Sequence, residues 1–167
     1  MREMINISIR KGTAADLPQV YALIQELAEY EKAPQEVTNT LADMQEDGFG
    51  EYPVFEFLVA EAEGQVVGLC LYYMAYSTWK GKMLYLEDLV VTEAYRRYGV
   101  GKQLFDAFVR RSLELGAKRL KWQVLEWNDP AITFYKKLNC HLDAEWINCN
   151  MGEEEIAAYV EGLKIKN

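Results

Sequence analysis

The chain has 167 residues and a mass of 19.3 kDa, half of it hydrophobic and 26% charged, so it can bury one core and is too apolar to be disordered. Its net charge is −8, and no apolar run approaches the roughly 20 residues that a membrane helix needs. Nucleic acid is not expected as a partner, because phosphate-backbone affinity requires a broad basic face. Three cysteines (Cys70, Cys140, Cys149) at unrelated spacings and a single histidine, His141, argue against a disulfide framework and a metal site. They point to a reducing cytoplasm, as does the lack of an apolar signal region after Met1. No repeat, linker or low-complexity stretch interrupts the chain, so one domain over 1–167 is expected.

Alternation over Ile5–Ile9 predicts a half-buried strand at the start of the chain. Thr13 to Asp16 resembles a capping box, with Asp where Glu or Gln is usual. Leu17, Val20, Tyr21, Ile24, Leu27 and Ala28 then recur at helical steps to about Glu31. A short helix comes after Thr38 or Thr40 and stops at Gly48. Val54–Ala62 and Gln65–Tyr76 form a hairpin around Glu63 and Gly64, and Met83–Val91 is a third meander strand. Gly101–Leu115 is helical and ends at Gly116. Arg119–Glu126 reads as a strand, Pro130–Leu138 as a helix ended by Asn139, Leu142–Asn150 as a last strand and Glu153–Glu161 as a last helix. The order predicts a mixed α/β sheet with an antiparallel first half.

Charge is uneven: residues 1–95 hold 6 basic and 16 acidic side chains, whereas 96–137 hold 10 basic and 4 acidic. That suits a small anionic group held in the second half and a cationic ligand drawn to the first, or else a solvated surface with chance asymmetry. The segment Tyr85–Lys102 concentrates the chemistry. A strand carries Glu87 and Asp88, and a loop with Arg96, Arg97, Gly99, Val100, Gly101 and Lys102 then opens a helix. Glycines allow close backbone approach, a helix N-terminus presents unpaired N–H groups, and cations stand where an anion would sit. The competing reading is an ordinary helix entry with a solvated basic patch. Adjacent residues of a strand face opposite ways, so Glu87 and Asp88 cannot share a crevice unless a bulge re-aims one. Glu87 is expected to bind a cation and start a water relay, and Asp88 to be a structural hydrogen-bond acceptor. One crossover later, Asn128 is either a ligand for a peptide-like group or a helix cap. Tyr135 lies two turns on, as a proton donor or a packed aromatic.

These two segments resemble the GNAT superfamily of N-acetyltransferases. Within it, Arg10, the Thr13–Asp16 and Glu26–Lys32 stretches, Asp47–Gly50, Tyr76–Gly81, Tyr85–Asp88 and Glu126–Asn128 are similar to the spermidine/spermine (diamine) and thialysine N-acetyltransferases. The resemblance implies a mostly antiparallel sheet splayed between its fourth and fifth strands and flanked by helices. It implies acetyl-CoA as cosubstrate and a small cationic amine as acceptor, with direct attack, no acyl-enzyme and no metal. Leu89, Val90 and Val91 would line the pantetheine arm, residues 96–102 would hold the diphosphate, and Asn128 would bind the pantetheine region. Tyr135 would protonate the departing thiolate, and Tyr30, Glu31 and Glu87 would bind the amine. A homodimer is expected on the same ground. An aliphatic ammonium has a pKa of about 10.4, so a base or water chain must remove its proton before attack. Two other activities share this pattern: acetylation of protein lysines, and CoA sensing without turnover.

Overall fold

The computed structural model describes residues 6–164 and divides the chain into two compact units, one through Gln123 and one from Val124. The first holds a five-stranded sheet in the order β1 (Ile7–Lys11), β2 (Glu56–Ala62), β3 (Gln65–Ser77), β4 (Gly81–Val91) and β5 (Arg119–Lys121). The first four strands are antiparallel neighbours, and β5 joins β4 in parallel. Among the described residues β1 begins at Ile7, and β2 sets its register from Ile7 opposite Ala62 to Lys11 opposite Leu58. Ile5 lies outside the described residues. Glu63 and Gly64 both take left-handed φ (51° and 75°), the conformation that a two-residue hairpin turn demands.

Helix α1 (Leu17–Tyr30) grows out of a 3-10 turn over Ala14–Asp16, and Asp16 reaches back to the Thr13 N–H at 2.8 Å. Arg10 forks onto the same carboxylate with two 2.8 Å bonds and holds its pKa down at about 2. Helix α2 (Leu41–Phe49) starts at Thr40, whose side chain accepts from the Asp43 N–H. One face of the sheet is covered by α1 and α2, around Leu17, Val20, Leu23, Met44, Phe57, Val59 and Leu69. Helix α3 (Val100–Glu114) covers the other with Val100, Leu104, Phe105 and Phe108. Burial on both faces explains the continuous apolar run of β3. Gly68 lies under α3. A Cβ there would come within 2.9 Å of Leu104 Cδ1 and 3.3 Å of Val100 Cγ1.

Two departures from regular pairing shape the surface near the end of β4. Leu71 pairs with Asp88 and Tyr72 with Leu86, so Glu87 is an extra residue on β4, a β-bulge. The β4–β5 ladder runs only from Met83–Arg119 to Tyr85–Lys121. Beyond it, Leu86–Val91 has no strand on that side among the described residues, which is the expected splay. The strand predicted over 119–126 stops at Lys121, where its ladder with β4 ends at Tyr85, and a turn follows only at residues 126–127, with the Asn128 N–H bonding the Leu125 carbonyl at 2.9 Å.

The second unit carries α4 (Asp129–Lys136) and α5 (Glu153–Lys164). Asn139, at φ 58°, ends the α4 region as predicted. The strand predicted over Leu142–Asn150 is absent. The Asp143 carboxylate accepts from the Glu145 N–H at 2.9 Å, a local turn that competes with extended pairing.

Candidate active site

Three parts of the first unit, α1, the segment 31–37 after it and β4, build a recess of about 200 Å³. Ile24, Leu27 and Ala28 of α1 and Val37 after it form apolar walls, and three carboxylates line the rest: Glu31, Glu36 and Asp88. None of the three forms an ion pair among the described residues. Burial, and then the nearby charges of Glu87 and Glu31, push the Asp88 carboxyl up to about 7. Burial also raises Glu31. The expectation that Asp88 is a structural hydrogen-bond acceptor does not hold, since no donor among the described residues bonds it. The bulge turns it into the recess while Glu87 stays exposed. Glu87 lies instead by the stacked phenols of Tyr73 and Tyr85, whose centroids are 5.2 Å apart. Burial first and the Glu87 charge second raise both phenol pKa values.

The glycine loop leaves β4 through a 3-10 turn over Glu93–Tyr95. Arg97 and Gly99 both have left-handed φ, 68° and 77°, and alternation of this kind folds successive N–H groups into a concave nest. No well-formed hydrogen bond engages the N–H groups of residues 97–102 among the described residues. The side chains behave differently. Arg96 turns back, with Nε donating to the Val91 carbonyl at 2.9 Å, one Nη 3.4 Å from Glu26, and the guanidinium 5.4 Å over the Tyr30 ring. Lys102 is paired with Asp106 at 2.5 Å. Among the described residues Arg97 forms no ion pair.

The family model for the acetyltransferase (GNAT) family matches residues 17–139. The chain belongs to the GNAT acetyltransferase family. It is 38% identical over 169 residues to a thialysine N-epsilon-acetyltransferase of Bos taurus, covering 95% of this chain and 99% of that one. It is 36% identical over 134 residues to a spermidine/spermine N(1)-acetyltransferase-like protein of Homo sapiens, covering 76% of this chain but 19% of that one. An aminoglycoside N-acetyltransferase solved in complex with CoA shares the fold, with a TM-score of 0.71 and 18% identity, covering 90% of this chain and 98% of that one.

Of the predicted site residues, Leu89, Val90 and Val91 lie in β4, paired with Cys70, Leu69 and Gly68 of β3, and the others fall into three groups. Glu31 meets Asp88 in the recess, while Glu87 does not line it. Arg96, Arg97, Gly99, Val100, Gly101 and Lys102 form the loop, with Tyr30 stacked on its first arginine. Asn128 and Tyr135 lie in the second unit. Asn128 caps α4, its Oδ1 accepting from the Ala131 N–H at 3.3 Å, and the Tyr135 ring packs edge-on against Phe134 at 5.3 Å. Sequence reasoning does not single out Asp88, Glu36 or Glu26 as ligand or loop groups. Their roles arise from a bulge and from chain segments far apart in sequence, which spacing does not reveal.

Proposed function

We propose that this GNAT acetyltransferase moves the acetyl group of acetyl-CoA to a primary amine of a small cationic acceptor, a polyamine, diamine or thialysine-like compound. The observation that carries the reading is the apolar-walled recess whose three carboxylates have no counterion among the described residues. An extended aliphatic cation supplies both the charge and the methylenes that such a site lacks. Relatives named for thialysine and for spermidine/spermine support the same class of acceptor.

The loop fits a diphosphate through the N–H groups of residues 97–102, reinforced by Arg97, Arg96 and Lys102. CoA supplies the acetyl group as a thioester, already activated toward amines. Leu89, Val90 and Val91 of β4 line its pantetheine arm, and Asn128 is read as a further ligand of that arm. Glu87 draws the ammonium and opens a water relay, and Tyr30 and Glu31 hold the acceptor. The relay ends at Asp88, whose pKa near 7 suits a group that must take a proton at neutral pH. The amine nitrogen attacks the acetyl carbonyl carbon, the C–S bond breaks, and the Tyr135 hydroxyl gives its proton to the departing sulfur. The reading is direct attack without an acyl-enzyme, and it is supported at Cys70, which is fully buried and whose thiol burial raises far above the range of a nucleophile. The reading includes a single domain, a cytoplasmic location and a homodimer.

The test is thiol release from acetyl-CoA with polyamine, thialysine and a lysine peptide offered at equal concentration. Turnover with the first two is expected. Preference for the peptide would replace the acceptor class, and CoA binding without release would make the protein a sensor. Tyr135→Phe is expected to lower kcat by about 10²-fold with CoA affinity unchanged, the size of a lost general acid. Unchanged kcat removes that role.

A further inference from the structure

The glycine loop is tied to α1 by Glu26, a side chain that takes no part in acetyl transfer, as well as by Tyr30. Glu26 reaches across from the helix to the turn where β4 ends. Its Oε2 accepts from the Thr92 hydroxyl at 3.0 Å, and its Oε1 accepts from the Glu93 N–H at 3.1 Å. The same Oε1 lies 3.4 Å from Arg96 Nη2. Thr92 and Glu93 begin the 3-10 turn that aims the loop, and Thr92 has no side-chain hydrogen bond to its own turn, so Glu26 supplies the cap from outside. Arg96 is fixed at three further points: its backbone N–H to Glu93, its Nε to Val91, and its face over Tyr30. The Glu26 carboxylate is about one-third exposed, so its bond to Arg96 is screened and adds little stability. What it controls is geometry.

We propose that Glu26 is a positioning residue that holds the Thr92–Arg96 turn, and with it the N–H nest of residues 97–102, in the shape that receives the CoA diphosphate. Glu26 lies on α1 between Ile24 and Leu27, two walls of the acidic recess. The clasp therefore joins the acceptor wall to the cosubstrate loop. It rests on the reading of that loop as the diphosphate site.

The experiment compares wild type, Glu26→Ala and Glu26→Gln in three measurements: amide hydrogen exchange over residues 92–98 without ligand, CoA affinity by calorimetry, and steady-state kinetics. Glu26→Ala is expected to speed exchange at the Glu93 and Arg96 amides and to weaken CoA binding about 10-fold, the worth of a charge-assisted hydrogen bond. The KM for acetyl-CoA rises in step while kcat stays within about 2-fold, the signature of lost binding and not of lost chemistry. Glu26→Gln, which keeps the shape and one acceptor oxygen, falls between and guards against misfolding of the alanine variant. Unchanged exchange and affinity in both variants overturn the proposal. Tighter CoA binding also overturns it, because Glu26 would then compete with diphosphate for Arg96. If wild type binds no CoA, the reading of the loop falls, and the exchange rates alone decide whether the clasp exists.

Discussion

The acidic recess and the glycine loop solve opposite problems by opposite means. In the recess the polarity sits on side chains: Glu31, Glu36 and Asp88 face apolar walls with no cation among the described residues to balance them. In the loop two of the three cations are already engaged, Arg96 by Val91 and Glu26 and Lys102 by Asp106, while the backbone N–H groups stand ready. On the proposed reading, a site for a variable amine uses titratable charge, and a site for an invariant diphosphate uses backbone geometry. Substitutions should act accordingly.

The largest contrast comes from Asp88. Asp88→Asn is expected to lower kcat by about 10²-fold and to erase the rise of kcat with pH centred near 7. Stability carries a second signature. The folded-state pKa of Asp88 is raised above the ordinary 3.8, so its protonated form is favoured on folding. That contribution is complete below about pH 4 and is lost as pH climbs through about 7. Thermal melts should therefore show Asp88→Asn gaining on wild type as pH is raised from about 4 to about 8. Asp16 runs the other way: held down at about 2, it stabilises above the ordinary carboxylate pKa and loses that effect only as pH falls through about 2. An unaltered pH profile in Asp88→Asn would return the proton-accepting role to Glu87.

The loop provides the intermediate effect. Gly99 has φ 77° with open space around it, so alanine there costs only backbone strain, about 1 kcal/mol. Gly99→Ala should raise the KM for acetyl-CoA about 5-fold, that strain expressed as binding. Lys102→Ala, which removes a cation already paired with Asp106, should change it less than about 2-fold. The reverse order would mean that side chains, not N–H groups, hold the diphosphate. The smallest effect belongs to Glu87, exposed on its bulge. Glu87→Gln is expected to raise the amine KM about 3-fold, as befits a solvent-screened charge. Initial rates against acceptor concentration check it, and an unmoved KM removes Glu87 from the acceptor site.

Local chemistry made most of the fold legible. Thr13 with Asp16, Thr40 before α2, the Glu63–Gly64 turn and Asn139 each act within a few residues, and each appears where the sequence predicts. What required distant partners was harder. The segment 142–150 alternates enough to suggest a strand, yet its Asp143 turn wins where pairing is absent. The two carboxylates of β4 obey strand alternation only until the bulge, which depends on β3 and cannot be read from β4 alone. Glu26 meets the loop across 66 to 70 residues of chain, a tie that no spacing rule reveals.

Gly68 has a bearing on the loop that its own position hides. Its missing methyl lets α3 settle against β3, with Leu104 and Val100 as the points of rest. Val100 is the first residue of the helix whose amino end forms the nest. One hydrogen atom on the sheet thus sets the height of an electropositive rim some thirty residues later in the chain, and any bulk added there would lift that rim from β4 before it touched a single residue of the site.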